Sequence, residues 1–169
     1  MPKASRSKEQ RVAVLIDIQN MYYSARNLYQ AKVNFAELLK TAVNGRKLIR
    51  AIAYVVRSEN QESEAFFKAL SHIGIELKMK DLQIFPGGLK KGDWDVGIAM
   101  DAVRLSSSVD SIVLVSGDGD FLPLIDYIKN ATPTRVEIMG FGRTTSGKVK
   151  EVADYYFDLE ENQQKYLIP

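Results

Sequence analysis

Short runs of apolar, mostly β-branched residues alternate with longer amphipathic stretches along this chain, and that alternation leaves few folds open to it. Residues 11–16 (RVAVLI), 48–56 (LIRAIAYVV), 111–115 (SIVLV) and 135–139 (RVEIM) have almost no polar face. This is the pattern of strands covered on both sides. The stretches at 18–30, 34–43, 61–73, 94–105, 121–129 and 147–153 read as helices. Asn34 is placed to cap the second of these, with Glu37 at the capping-box position, and Ser146 to cap the last. The helix at 61–73 is expected to bury Ala65, Phe66, Ala69, Leu70 and Ile73 and to stop at Gly74. Residues 75–79 alternate as a short strand, 81–93 read as a loop or hairpin, and 155–159 as an edge strand. The helix at 94–105 is apolar nearly all round and is expected to be buried. Strands alternating with helices imply an α/β, Rossmann-like three-layer sandwich with a mostly parallel central sheet.

Composition narrows the function classes. The chain has 169 residues, 46% of them hydrophobic, enough for one core. Cysteine is absent, which excludes a disulfide framework, a thiolate metal site and a cysteine nucleophile. No apolar run approaches the ~20 residues of a membrane span. The first residues are polar and basic, unlike a secretory leader, so a cytoplasmic protein is expected. Residues 1–10 read as a disordered basic arm and 160–169 as a C-terminal tail. The net charge of +2 belongs to that arm: without residues 1–11 the chain carries 19 basic and 20 acidic residues. Nucleic-acid binding must therefore be argued from where charges sit.

In an open parallel sheet, ligands bind beyond the carboxyl ends of the strands, where the strand order reverses. Asp17 and Asn20 follow the first strand, and Ser116-Gly117-Asp118-Gly119-Asp120 follows the run at 111–115. Lys91-Gly92-Asp93-Trp94-Asp95 opens a helix, with Asp93 as the expected cap and Asp95 directed to the pocket. Carboxylates brought together repel one another unless a cation joins them, and oxygen ligands of this kind suit Mg²⁺ or Mn²⁺. Asp17, Asp95, Asp118 and Asp120 are the candidate metal and catalytic residues, with Asn20 and Ser116 in support. Asp101 lies six residues beyond Asp95, so it faces about 120° away. It shares a stripe with Trp94, Ile98 and Leu105 and is expected to be a paired, structural aspartate. Arg57, Lys78, Lys80, Lys90, Lys91 and Arg143 gather at the same edge, as contacts for phosphates. Phe85, Trp94 and Phe141 are placed to stack on bases or to join the core. His72 has no partner for histidine chemistry, and Met21, Met79, Met100 and Met139 read as core. No phosphate-cradling glycine motif is present.

Three blocks, RVAVLIDIQN (11–20), KGDWDVGIAMDA (91–102) and SGDGDF (116–121), resemble the signature blocks of NYN domains, which are PIN-like nuclease domains. The similarity is greatest to the LabA-like bacterial group and covers residues 11–159. It implies a Rossmann-like sheet, an Mg²⁺- or Mn²⁺-dependent acidic site and action on RNA. On the matching positions, Asp17, Asp95, Asp118 and Asp120 are the acidic set, Asn20 is the polar companion of Asp17, and Asp101 is the later helix aspartate. The expectation is a metal-dependent endoribonuclease acting on RNA, in single strands, with a homodimer as one possible state. The alternative is a noncatalytic regulatory module that binds RNA or a protein partner through the same cleft. A small-molecule phosphatase fits less well, because Asp17 is followed by Ile18-Gln19 and not by a second aspartate two residues on.

Overall fold

A computed structural model of the chain describes residues 7–57, 64–88 and 90–169, and of Lys90 and Lys91 the backbone alone. Residues 1–6 of the expected arm and 61–63 of the expected helix lie outside the described residues. The elements are β1 (Arg11–Asp17), α1 (Ile18–Tyr29), β2 (Lys32–Val33), α2 (Phe35–Val43), β3 (Lys47–Arg57), α3 (Glu64–His72) and β4 (Glu76–Asp81). There follow β5 (Gln83–Ile84), β6 (Lys90–Lys91), α4 (Asp95–Leu105), β7 (Ser111–Val115), α5 (Leu122–Ala131), β8 (Arg135–Gly140), α6 (Gly147–Val152), β9 (Tyr155–Asp158), α7 (Gln163–Tyr166) and β10 (Leu167–Ile168).

Six strands form the central sheet in the order β4-β3-β1-β7-β8-β9. Every pairing in it is parallel. The chain builds outward from β1 to one side, then crosses to β7 and builds to the other. Strand order thus reverses between β1 and β7, and a crevice opens beyond their carboxyl ends.

Alternation along the strands divides the core in two. Val14 and Ile16 of β1, with Ala53, Val55, Val113 and Val115, pack under α1, α2 and α3. Ala13 and Leu15, with Ile52, Tyr54, Ile112 and Leu114, pack under α4, α5 and α6. Each face of the sheet is therefore covered, which is why these strands read as continuous apolar runs. Asn34 caps α2 by accepting from the Glu37 N–H at 3.2 Å. Gly74, at φ +91°, ends α3 in a conformation that glycine reaches at little cost.

Two helices depart from expectation. α3 buries Phe67 and Leu70, while Ala65, Ala69 and Ile73 are exposed. It lies over the sheet's β4 side and docks through bulky rings, Phe66 meeting Phe35 at 6.0 Å. α4 is not buried all round. Ile98, Ala102 and Leu105 face the sheet, whereas Val96 (75% exposed), Met100 (58%) and Val103 form an outward stripe. Met79 is likewise exposed, on edge strand β4, so of the four methionines read as core only Met21 and Met139 are buried.

Residues 160–169, set apart above as a tail, contain α7 and β10. Tyr166 is buried against the α2 side, its hydroxyl 2.8 Å from Thr41 Oγ1, and β10 pairs antiparallel with β2. A buried ion pair also ties α2 to the sheet. Arg46 Nη1 lies 2.5 Å from Glu137 Oε2, and Ser111 donates to the same oxygen at 2.5 Å. Among the described residues no helix is long and apolar enough to cross a membrane.

Candidate metal centre

β1 and β7 deliver the first two parts of the site. Asp17, the last residue of β1, is 8% exposed. Its carboxylate caps α1 by accepting from the Asn20 N–H at 3.2 Å, and its other oxygen accepts from Ser116 Oγ at 3.1 Å. Ser116 Oγ also accepts from the Asp118 N–H at 3.2 Å. Asn20 Oδ1 accepts from the Gly117 N–H at 3.1 Å. The loop after β7 is thus locked to the start of α1.

Gly117 holds that loop close to the one after β8. A Cβ at Gly117 would lie 2.7 Å from the Thr144 carbonyl oxygen and 2.8 Å from Thr145 Cα. The Ser146 N–H donates to the Gly117 carbonyl at 2.9 Å. Beyond the glycine, Asp118 accepts from the Asp120 N–H at 2.9 Å and starts a 3-10 turn over Gly119–Phe121.

α4 delivers the third part. Asp93, expected as the cap of α4, accepts from the Asp95 N–H at 3.0 Å just ahead of the helix, whose N-cap position is taken by Trp94 without a side-chain cap bond. Trp94 fastens this corner: its Nε1–H donates to the Val55 carbonyl at 2.9 Å, and a Cβ on Gly97 would fall 2.5 Å from its ring. Asp95, Asp118 and Asp120 each offer a carboxylate oxygen, all within 4.8 Å of one another. Asp17 lies deeper, close enough to feel the charges of Asp118 and Asp93.

The electrostatics follow from that crowding. Burial pushes the Asp17 carboxyl up to about 6, against the two hydrogen bonds that favour its charged form, and Asp118 and Asp93 push the same way. Asp95 is also pushed up to about 6, by burial first and then by Asp118, Asp93, Asp17 and Asp120. Like charges held this close are disfavoured unless a cation offsets them. The α4 amino terminus, with its positive dipole end, offsets part of the repulsion at Asp95. The all-oxygen donor set fits a hard divalent cation.

The remaining predicted residues divide. Asp101 is away from this cluster. It accepts from Tyr54 Oη at 2.8 Å and Lys78 Nζ at 2.7 Å, with Arg104 at 3.6 Å. Burial raises its carboxyl, but these partners outweigh it and hold it below the usual carboxylate range. Lys78 is therefore engaged there. Arg57 pairs with Asp81 at 3.1 Å, and Arg143 with Glu160 at 2.9 Å. Both guanidinium groups are at the surface, where such pairs exchange readily for other anions. Lys80 Nζ lies 4.7 Å from the centre of the Trp94 ring. The side chains of Lys90 and Lys91 lie outside the described residues. Phe141 is fully buried and belongs to the core. A groove of about 750 Å³ lies at the opposite, amino edge of the sheet, where Arg11 and Asp110 are paired with each other.

This arrangement matches known proteins along most of its length. The sequence pattern of the NYN domain covers residues 11–160. The chain belongs to the NYN domain family. Its NYN domain is 25% identical to the low amplitude and bright protein LabA of Synechococcus elongatus, over 89% of this chain and 84% of that protein. It is 29% identical to an uncharacterized protein of Methanocaldococcus jannaschii, over 94% of this chain but 59% of the relative. A crystal structure of a Vibrio parahaemolyticus protein of unknown function shares the fold with a TM-score of 0.85, at 31% identity over 97% of this chain and 99% of that one. The NYN fold and the clustered aspartate triad together form an acidic centre of the kind a metal-dependent nuclease uses. Asp93, read from sequence only as a cap, also adds its charge to the cluster. No spacing rule signals that second role.

Proposed function

We propose that this protein is a metal-dependent endoribonuclease that hydrolyses RNA phosphodiester bonds with Mg²⁺ or Mn²⁺ at the acidic centre. The observation that carries this reading is the meeting of Asp95, Asp118 and Asp120 within 4.8 Å at the crossover of an NYN sheet. A divalent cation bound there supplies a lowered pKa for water and neutralises charge on the phosphoryl oxygens. Asp95, Asp118 and Asp120 would hold it, and Asp17 adds the fourth carboxylate from below. Ser116 and Asn20 keep Asp17 and the loop after β7 in place. Arg57, Lys80, Lys90, Lys91 and Arg143 position the RNA backbone by charge, the two arginines by exchanging their present carboxylate partners for phosphate. On this reading the setting is the cytoplasm, and the substrate a single strand.

The test is incubation of purified protein with a mixed pool of single-stranded and structured RNA in Mn²⁺, Mg²⁺ or EDTA. Internal cleavage is expected with either metal and none in EDTA. Hydrolysis of p-nitrophenyl phosphate with every RNA left intact would overturn the reading. RNA retained but never cut, with either ion, would point to the regulatory alternative.

A further inference from the structure

The β5–β6 ribbon rises from the same sheet edge as the acidic centre. β4 ends at Asp81, paired with Arg57, and the next N–H, of Leu82, donates to the Arg57 carbonyl at 2.8 Å. The return strand leads through Gly92 directly to Asp93. The base of the ribbon is tightly seated: a Cβ on Gly92 would lie 2.8 Å from Leu82 Cδ1 and 2.9 Å from Val56 Cγ1. At the tip, the Gly88 N–H donates to the Phe85 carbonyl at 3.1 Å, with Gly87 and Gly88 at positive φ, so the turn pins Phe85 at its start. Ile84 pairs with Lys90, and Asp93 is three residues further on. At about 3.3 Å per residue, the root of Phe85 stands roughly 10 Å or more beyond Asp93.

Phe85 is 41% exposed and Ile84 66% exposed, on the outgoing arm of this two-stranded ribbon. The other aromatic at this corner is already engaged. Trp94 donates to Val55, lies 5.5 Å from the Tyr54 ring and carries Lys80 over its own ring. Phe85 therefore offers an exposed aromatic face on the ribbon that leads into the centre, and Lys80, held over Trp94, a positive charge at the ribbon's base. An aromatic face with a nearby cation is what an unpaired nucleobase and its phosphate require. Bases in a duplex are already stacked and offer no free face.

We infer that the β5–β6 ribbon is a base-stacking wall of the cleft, with Phe85 as the stacking side chain, and that it selects single-stranded RNA. The inference rests on the ribonuclease reading above. Phe85 positions substrate and takes no part in the chemistry.

The experiment compares wild type, Phe85→Ala, Phe85→Leu and, as a matched exposed aromatic on α5, Tyr127→Ala. Fluorescence anisotropy in EDTA at low salt reads binding of a short labelled single-stranded RNA and of the same strand annealed to its complement. Thermal melting confirms that each variant folds. Both Phe85 variants are expected to weaken single-strand binding about tenfold, leucine included because it keeps bulk but loses the π-face. Duplex binding should change less than about twofold, and Tyr127→Ala should match wild type. Unchanged single-strand binding by Phe85→Ala, or equal loss on both RNAs, overturns the inference while leaving the ribonuclease reading intact. A Phe85→Ala protein that binds RNA normally but sediments as a smaller species assigns the ribbon to a second copy of the chain, and also overturns it. If wild type binds neither RNA, both the inference and the reading beneath it fail.

Discussion

Ser116 joins the two central strands where they part: its hydroxyl donates to Asp17 at 3.1 Å, across 99 residues of chain, and accepts from the Asp118 N–H at 3.2 Å. One buried side chain thus orders two of the candidate carboxylates. Ser116→Ala leaves Asp17 with one donor fewer and the Asp118 N–H without its partner. Stability should fall by about 1–3 kcal/mol. The Asp17 carboxyl should move further up, so the acid limb of the cleavage profile should shift to higher pH. Melting curves and a pH–rate profile check both parts.

Asp118→Asn separates metal binding from folding. Asparagine can cap the Asp120 N–H as aspartate does, and it removes one of several repelling charges. Metal-free protein should be as stable as wild type or more so. With Mn²⁺, affinity should drop and cleavage should fall by roughly 10² or more. Calorimetric metal titration and a cleavage assay on one preparation decide it; a variant that cleaves normally would remove Asp118 from the centre.

Asp101→Asn should do the opposite. It leaves the Lys78 ammonium without its ion-pair partner beside a buried position, while Tyr54 keeps an acceptor. A loss of about 1–3 kcal/mol is expected, less than for a fully buried pair because Lys78 is partly solvated. Metal affinity should not change. Thermal melting and the same calorimetric titration make the contrast.

Stability of the metal-free protein should decrease as pH rises from about 4 to about 7. Asp17 and Asp95 have folded-state pKa values raised to about 6, so between the ordinary carboxylate range and 6 the folded chain holds protons that the unfolded chain has lost. Stability then falls with pH across that window. Asp17 alone accounts for about 3 kcal/mol at most; Asp95 is more exposed and contributes less. The carboxylates held low, Asp101, Asp110, Glu76 and Glu160, act with the opposite sign, their contribution being lost as pH falls through their ordinary values of 3.8 for aspartate and 4.5 for glutamate and below. Added Mn²⁺ should abolish the decline. Melting temperature against pH, with and without the ion, gives the measurement.

Gly117→Ala tests the contact between the loops after β7 and β8. The new methyl would meet backbone atoms at 2.7 and 2.8 Å. Backbone cannot step aside as a side-chain tip can, so a loss of about 1–3 kcal/mol and weaker Mn²⁺ binding are expected. Gly147→Ala, with no atom within 4 Å of its Cβ position, is the control and should be nearly neutral.

Much of this was legible in the sequence because it is local. Asp17 at the end of an apolar run, Asp118 between two glycines and Asp95 two residues after another aspartate announce themselves within a few residues. The crossover rule then brings them to one edge. What stayed hidden depends on distant partners. Glu137 faces Arg46 across 91 residues, and Lys78, which reads as one more basic residue at the edge, is taken by Asp101. The exposure of Met100 and Val96 was missed because composition says how apolar a helix is, not how many of its faces a sheet can cover. The two-residue pairing of β2 with β10 is too short to leave a period.

Because β1 lies between β3 and β7, the centre has a place in time as well as in space. A chain emerging from the ribosome presents Asp17 first and Asp95 much later, but β1 gains its second neighbour only when 111–115 is free to pair. Until then Asp17 lacks Ser116, and Asp95 lacks Asp118 and Asp120. Non-local pairing of this kind forms late and slowly. A nascent chain therefore carries scattered carboxylates and no assembled acidic centre until 111–115 has paired with β1.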